Sequence, residues 1–221
     1  MLKALAIKEL RESAIILGVA ALAMLWLLGN MMNWRLTPLA IFGNVSKTIP
    51  FVGTGFSVLL IFFGGTLAVA LGLKQSAWEN SGKKYYFLLH RPVEPRTVFL
   101  TKIGFGLACL LALTVGPTLV YANWAATPGK HSTPFFWGMT SASWMSCLTL
   151  PSVYLGALLS GLRPAHWLGT RLLPGVGTVV LATLAWICWW GIHWLLGLVC
   201  LAALDLVLLQ LILATAEQRD Y

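Results

Sequence analysis

The sequence predicts an all-α polytopic membrane protein. Six transmembrane helices are preceded by a short amphipathic N-terminal helix, and a helical segment lies on the inner side between the second and third spans. Three observations lead there. Of 221 residues, 58% are hydrophobic and only 10% are charged, too few charges to cover the surface of a soluble domain of this length. The apolar residues fall in uncharged runs of about 20, the length that crosses a hydrocarbon core roughly 30 Å thick. The runs also lack the in–out alternation of a membrane barrel, so each must satisfy its backbone internally as a helix.

The spans are read as Ala14–Met31, Phe51–Leu73, Ile103–Ala122, Trp137–Ser160, Leu172–Trp190 and Trp194–Ala214. They make one transmembrane domain over 1–221, since no polar stretch is long enough for a separate soluble unit. The start of the chain has the apolar run of a signal peptide. However, Glu9 and Glu12 interrupt its basic region and the run is too long, so a retained first span is expected. Over residues 1–13, Leu2, Ala6 and Leu10 recur every four residues, with Lys8, Arg11 and Glu12 opposite them. This predicts a loosely amphipathic helix on the inner membrane surface that turns into the first span near Ser13. The alternative is a plain helical extension of that span.

Orientation follows from lysine and arginine. With the N-terminus inside, the inner segments hold Lys3, Lys8, Arg11, Lys74, Lys83, Lys84, Arg91, Arg96, Lys102, Arg163, Arg171 and Arg219. The outer ones hold Arg35, Lys47 and Lys130. That bias of twelve to three places both termini in the cytoplasm of a cell membrane. Topology alone explains the net charge of +8, so it does not point to nucleic acid. Trp34, Trp124, Trp137, Trp189, Trp190 and Trp194 fit an outer aromatic belt, and Trp78 and Trp167 an inner one. Cys109, Cys147, Cys188 and Cys200 all fall in apolar runs without a CxxC pair and read as small buried hydrophobes.

The inner segment 74–102 is longer than a connection requires. After Gly82, the residues Tyr85, Leu88 and Leu89 recur at helical spacing and make one apolar face. Pro92 ends that helix because it has no N–H for the ladder, and Pro95 opens the next, which runs through Lys102 into the third span. The apolar face requires a partner: the membrane surface, the rest of the bundle or another protein.

Glu79, Gly82, Leu88-Leu89, Pro92-Val93 and Lys102, in that order, resemble the first cytoplasmic loop of ABC transporter permeases of the exporter class known as ABC type 2. The N-terminal "KELRES" is similar to the elbow helix of that family, and six spans with cytoplasmic termini match its architecture. The resemblance implies that residues 83–91 form a coupling helix seated in a cleft of a separate ATP-binding subunit. Glu79, Gly82, Lys83, Tyr85, Leu88, Leu89, Pro92 and Lys102 would then belong to that contact. It further implies a second permease subunit, identical or homologous, with ATP and magnesium held by the ATP-binding subunit and no cofactor in this chain. The sequence departs from the family in carrying Lys83 where a threonine is frequent. Only Gly191–His193 separate the last two spans, where many members have a re-entrant helix pair.

The chain holds no phosphate-binding loop of its own: "GKHS" at Gly129 has histidine where serine or threonine is required. No His-Glu-x-x-His occurs, and His90, His131, His166 and His193 are scattered, so neither a catalytic nor a metal site is assigned. Asp205 stands near the middle of the last span with Gln210 beyond it. A carboxylate there costs about 2.5–3.5 kcal/mol to insert, so Asp205 and Gln210 are candidates for the translocation path or a helix interface. Pro117, Pro151 and Pro174 predict kinks in the third, fourth and fifth spans. The expected function is a permease subunit that exports a lipidic or amphipathic substrate between two such subunits. The alternatives are a six-span membrane enzyme using Asp205 with His193 or His90, and a non-transporting membrane anchor for a cytoplasmic complex.

Overall fold

The computed structural model describes residues 2–32, 49–52, 55–78, 95–129, 135–163, 166, 170–191 and 194–217. They form an all-α bundle of α1 (Leu2–Met31), α2 (Gly55–Leu73), α3 (Pro95–Ala126), α4 (Ser141–Leu162), α5 (Leu173–Gly191) and α6 (Trp194–Glu217). A turn of π-helix, Lys74–Trp78, extends α2, and a 3₁₀ turn, Trp137–Thr140, leads into α4. Five helices are long and apolar enough to cross a membrane, and α5 is apolar but shorter.

The outside of the bundle is apolar, and its inside combines a hydrophobic core with buried hydroxyls. Exposed positions carry Ile15, Val19, Leu22, Phe62, Val180, Val199 and Leu206. Buried positions include Ser57, Thr114, Thr118, Ser146, Ser152 and Ser160. Some of these hydroxyls return to their own helices, as Thr114 donates to the Leu110 carbonyl at 2.9 Å and Ser146 to that of Ala142 at 2.7 Å, whereas Ser152 donates across to Asp205 of α6. A hydroxyl satisfied in this way can be buried at little cost, while an apolar exterior suits lipid rather than water. The arrangement fits a transmembrane protein.

Helix α4 is the axis. It packs against α2, α3, α5 and α6 and is the most deeply buried helix. Close approach depends on missing side chains. A Cβ on Gly72 would come within 2.7 Å of the Tyr154 carbonyl oxygen, and one on Gly64 within 2.6 Å of Leu150. On α6, a Cβ at Gly197 would meet the Ala185 carbonyl of α5 at 2.9 Å. Helices in lipid gain nothing from burying apolar surface against one another, so such small-residue contacts and the packing they allow hold the bundle together.

Two expectations are corrected. The turn near Ser13 does not form: residues 2–31 are one continuous helix, the extension alternative. Glu9 and Ser13 are buried on its inner face, so this segment packs against the bundle instead of lying flat on a surface. Pro174 does not kink α5. It lies in the first turn, where a missing N–H breaks no ladder bond, whereas Pro117 and Pro151 are inside α3 and α4. The cysteines are free, and Cys147 is buried, but Cys200 is exposed on α6. Helix α3 begins at Pro95 and runs through Lys102 without a break. Among the described residues no helix pair stands between α5 and α6, which end and begin at Gly191 and Trp194.

The connection from α4 to α5 is tied by its own polar groups. Arg171 donates to the carbonyls of Ser160 and Gly161 at 3.2 and 2.9 Å, capping α4. The Ser160 hydroxyl accepts the Gly175 N–H at 2.8 Å in the first turn of α5. Lys3, Lys8, Arg11, Lys74, Arg96, Lys102, Arg163 and Arg171 all fall at one end of the bundle, together with both ends of the described chain. At the other end Phe51, Phe56, Tyr121 and Trp124 pack together, with Phe51 and Tyr121 centroids 4.5 Å apart.

Candidate functional site

A buried polar cluster lies at the charged end. Lys102 of α3 places its ammonium 3.1 Å from Glu9 of α1, and the two side chains are 1% and 2% exposed. Gln75 donates from Nε2 to Glu9 Oε2 at 3.2 Å and to the Lys102 carbonyl at 3.4 Å. Tyr154 of α4 donates its phenol proton to Gln75 Oε1 at 2.5 Å. Four elements therefore meet in one network. The sequence arranges this locally: the π turn after Leu73 shifts the helix register so that Gln75 and Ser76 turn inward. On α3, Gly106 leaves space for the Tyr154 ring, since a Cβ there would overlap the phenol. An ion pair withdrawn from water is better tolerated when hydrogen bonds support it, and Gln75, itself held by Tyr154, donates one to Glu9.

The cluster holds both stems of the segment 79–94. Gln75 precedes it by one helical turn, and Lys102 follows it within the first two turns of α3. At the same end Arg96 pairs with Glu217, joining the start of α3 to the end of α6.

Glu79, Gly82, Lys83, Tyr85, Leu88, Leu89 and Pro92 lie outside the described residues. Lys102, grouped with them in the sequence, is turned inward to Glu9, so in this chain its ammonium does not reach the bundle surface. Asp205 accepts a hydrogen bond from the Ser152 hydroxyl at 2.6 Å, linking α6 to α4. Gln210 is separate from it and exposed. Gln75, Tyr154 and Ser152 carry no signal in the sequence that marks them. The signal for Glu9 was present, as an acid where topology favours bases, but its partner on α3 is not visible until the helices are packed.

A second feature is a lateral cavity of about 820 Å³ between α2, α4 and α5, toward the uncharged end. Phe62, Val58, Val69, Val153, Val179 and Trp186 wall it, with the hydroxyls of Ser57, Thr66, Ser141, Thr149 and Thr183 as polar groups. Thr66, Thr149 and Thr183 donate to backbone carbonyls of their own helices, so the walls are mainly apolar. Such a cavity accepts apolar matter: an acyl chain, a helix or an amphipathic molecule.

The fold and these sites define a helical bundle of membrane type with a buried ionic tie at its charged end. Comparison with protein-family models, with curated proteins and with solved structures gives no match.

Proposed function

We propose that this chain is the permease subunit of an ATP-driven ABC exporter, embedded in the cell membrane with the charged end in the cytoplasm. All six helices span in this reading, α5 included. Two permeases pair, each with an ATP-binding subunit that carries ATP and magnesium, and a lipidic or amphipathic substrate passes between them. One observation carries the reading beyond the sequence resemblance: both stems of segment 79–94 are tied to α1 and α4 through Glu9, Gln75, Lys102 and Tyr154. A push on that segment is then delivered to the helices as a unit and not lost in a loose loop. The apolar cavity between α2, α4 and α5 supports the choice of a lipidic or amphipathic substrate.

The test is Leu88→Asp. In the proposed complex it buries an unpaired carboxylate in the cleft of the ATP-binding subunit, at a cost of several kcal/mol, enough to weaken docking about a hundredfold. The expected result is normal membrane levels with loss of the co-purified ATPase. A membrane-surface helix would behave differently: Leu88→Asp would be mild, and neutralising Lys83, Lys84 and Arg91 together would release lipid. Wild-type ATPase retention by Leu88→Asp would overturn the assignment.

A further inference from the structure

We propose that Phe51 is a strained latch across the uncharged end of the lateral cavity, and that its release opens that end to an apolar or amphipathic ligand. The inference rests on the reading of that cavity as a substrate site, and it adds the residue that gates it.

The backbone shows the strain. Residues 49–52 form a turn in which the Val52 N–H donates to the Ile49 carbonyl at 3.3 Å. Pro50 locks its own φ at about −65°, and Phe51 follows it with a φ of 63°. A proline and then a positive φ make a type II turn, whose third position ordinarily takes glycine. Phe51 is the one non-glycine residue with a positive φ among the described residues. The left-handed region crowds any Cβ and is unusual for a bulky side chain, so it persists only where the surroundings impose it. Here the ring is what is held. Its centroid lies 4.5 Å from that of Tyr121 on α3, 5.5 Å from Phe56 on α2 and 6.1 Å from Phe135 ahead of α4. Tyr121 and Phe56 are both buried, so this socket belongs to the bundle. A hydrogen bond between the Phe51 backbone and the Tyr121 hydroxyl adds a second tie.

The position of the turn gives the strain a use. Phe51 and Val52 border the cavity at its uncharged end, together with Gly138 and Met139. The same residue therefore fills the aromatic socket and forms part of the cavity wall. Its side chain favours the closed form, through the ring contacts, while its backbone favours leaving it. Opposed terms of this kind make a two-state element that a small push can shift. Withdrawing the ring relaxes the turn and removes the wall, and returning it restores both. Gly138 opposite has nothing within 4 Å of its Cβ position, so the wall there has room to give. A ligand lodged between α2, α4 and α5 then has an exit along the bundle axis as well as the sideways opening toward lipid.

The experiment uses the full chain in lipid nanodiscs, with its own cysteines replaced and any co-purifying partners retained. Lipid covers the sideways opening there, so a charged, water-soluble maleimide must enter from an end. The reporter is Thr149→Cys, on the cavity wall about two turns into α4. Its labelling should be slow with Phe51 in place and about tenfold faster with Phe51→Ala, because access tracks the population of the open form. Phe51→Gly should fall between the two: it also lacks the ring, but its turn is unstrained. Tyr121→Phe keeps every ring and removes only the hydroxyl tie, so it should still speed labelling, by a smaller factor. Ala68→Cys, a buried core position outside the cavity wall, is the control and should react no faster in any of these backgrounds. Wild-type labelling rates in Phe51→Ala or in Tyr121→Phe would overturn the proposal, the second by showing a fixed wall. Equal rates in Phe51→Ala and Phe51→Gly would overturn it by removing the strain, and a parallel rise at Ala68→Cys by showing general loosening. The labelling needs no ATPase, so failure of the Leu88→Asp test would remove the export reading and leave this result standing.

Discussion

Lys102 Nζ lies 3.1 Å from Glu9 Oε1, and each side chain is almost wholly withdrawn from the surface. Two residues from opposite stretches of the chain thus neutralise one another where neither charge has water.

This pairing gives the first prediction. Removing one partner strips the other buried charge of its nearest counter-ion, at a cost of about 3–5 kcal/mol where nothing replaces it, and Lys8, 3.9 Å from Glu9, offsets part of the loss when Lys102 is the one removed. Lys102→Met or Glu9→Leu alone should lower the thermal unfolding midpoint in detergent strongly. The double substitution should recover most of the loss, because Gln75 keeps the Lys102 carbonyl and the Tyr154 hydroxyl as partners. Two single losses that simply add in the double variant would show that the pair is not coupled.

The second prediction concerns the crossing of α2 on α4. A Cβ at Gly72 meets backbone atoms of Tyr154 and Leu158, at 2.7 and 2.9 Å, and backbone cannot move aside as a side chain can. Gly72→Ala should therefore cost about 1–3 kcal/mol by overpacking. Gly65→Ala serves as the control on the same helix, because nothing lies within 4 Å of its Cβ position. It should leave the midpoint unchanged or slightly raised, alanine being the better helix former. Equal effects at both positions would mean that the crossing is not as close as described.

What the sequence discloses and what it withholds follow from the range of each interaction. Apolar runs, Pro95 as a helix start and the clustering of Lys and Arg are local or additive properties, and the corresponding helices and charged end were legible. The form of residues 2–13 was not, because it depends on Glu9 and Ser13 facing a neighbour, a tertiary fact. The amphipathic pattern of Leu2, Ala6 and Leu10 fits a surface helix and an extended span equally well. Likewise Lys102 is a basic residue at the head of a span in sequence. Only packing shows that it faces Glu9 and not the cytoplasm. The register shift at Lys74–Trp78 has no local signature, yet it brings Gln75 into the cluster.

A third prediction tests orientation. In a chain whose own four cysteines are replaced, Lys83→Cys and Arg163→Cys should react with a membrane-impermeant thiol reagent only from the cytoplasmic side. Lys130→Cys should react only from outside. The expectation rests on the collection of basic residues at one end. Labelling of position 83 from outside would reverse the topology and remove the cytoplasmic partner from the proposed function.

The last prediction concerns Asp205, whose carboxylate accepts the Ser152 hydroxyl proton at 2.6 Å. Ser152 is fully buried on α4, whereas Asp205 is only half-buried on α6, so the bond fixes the rotation of the outer helix against the axis. Interhelical hydrogen bonds of this kind are worth about 1 kcal/mol in membranes, enough to set a preferred packing but not to decide insertion. Asp205→Leu should therefore insert at normal levels, with a slightly lower thermal midpoint and a looser α4–α6 contact. Cysteines introduced on those two helices should then crosslink less selectively. Asp205→Asn keeps an acceptor oxygen for Ser152 and should restore both properties. Transport separates a linking residue from one on the substrate path. If the bond only joins helices, Asp205→Asn transports as the wild type does and Asp205→Leu falls in step with its stability. If Asp205→Asn is as stable as the wild type but loses transport, the carboxylate acts on the substrate and the bond to Ser152 is a means of holding it there.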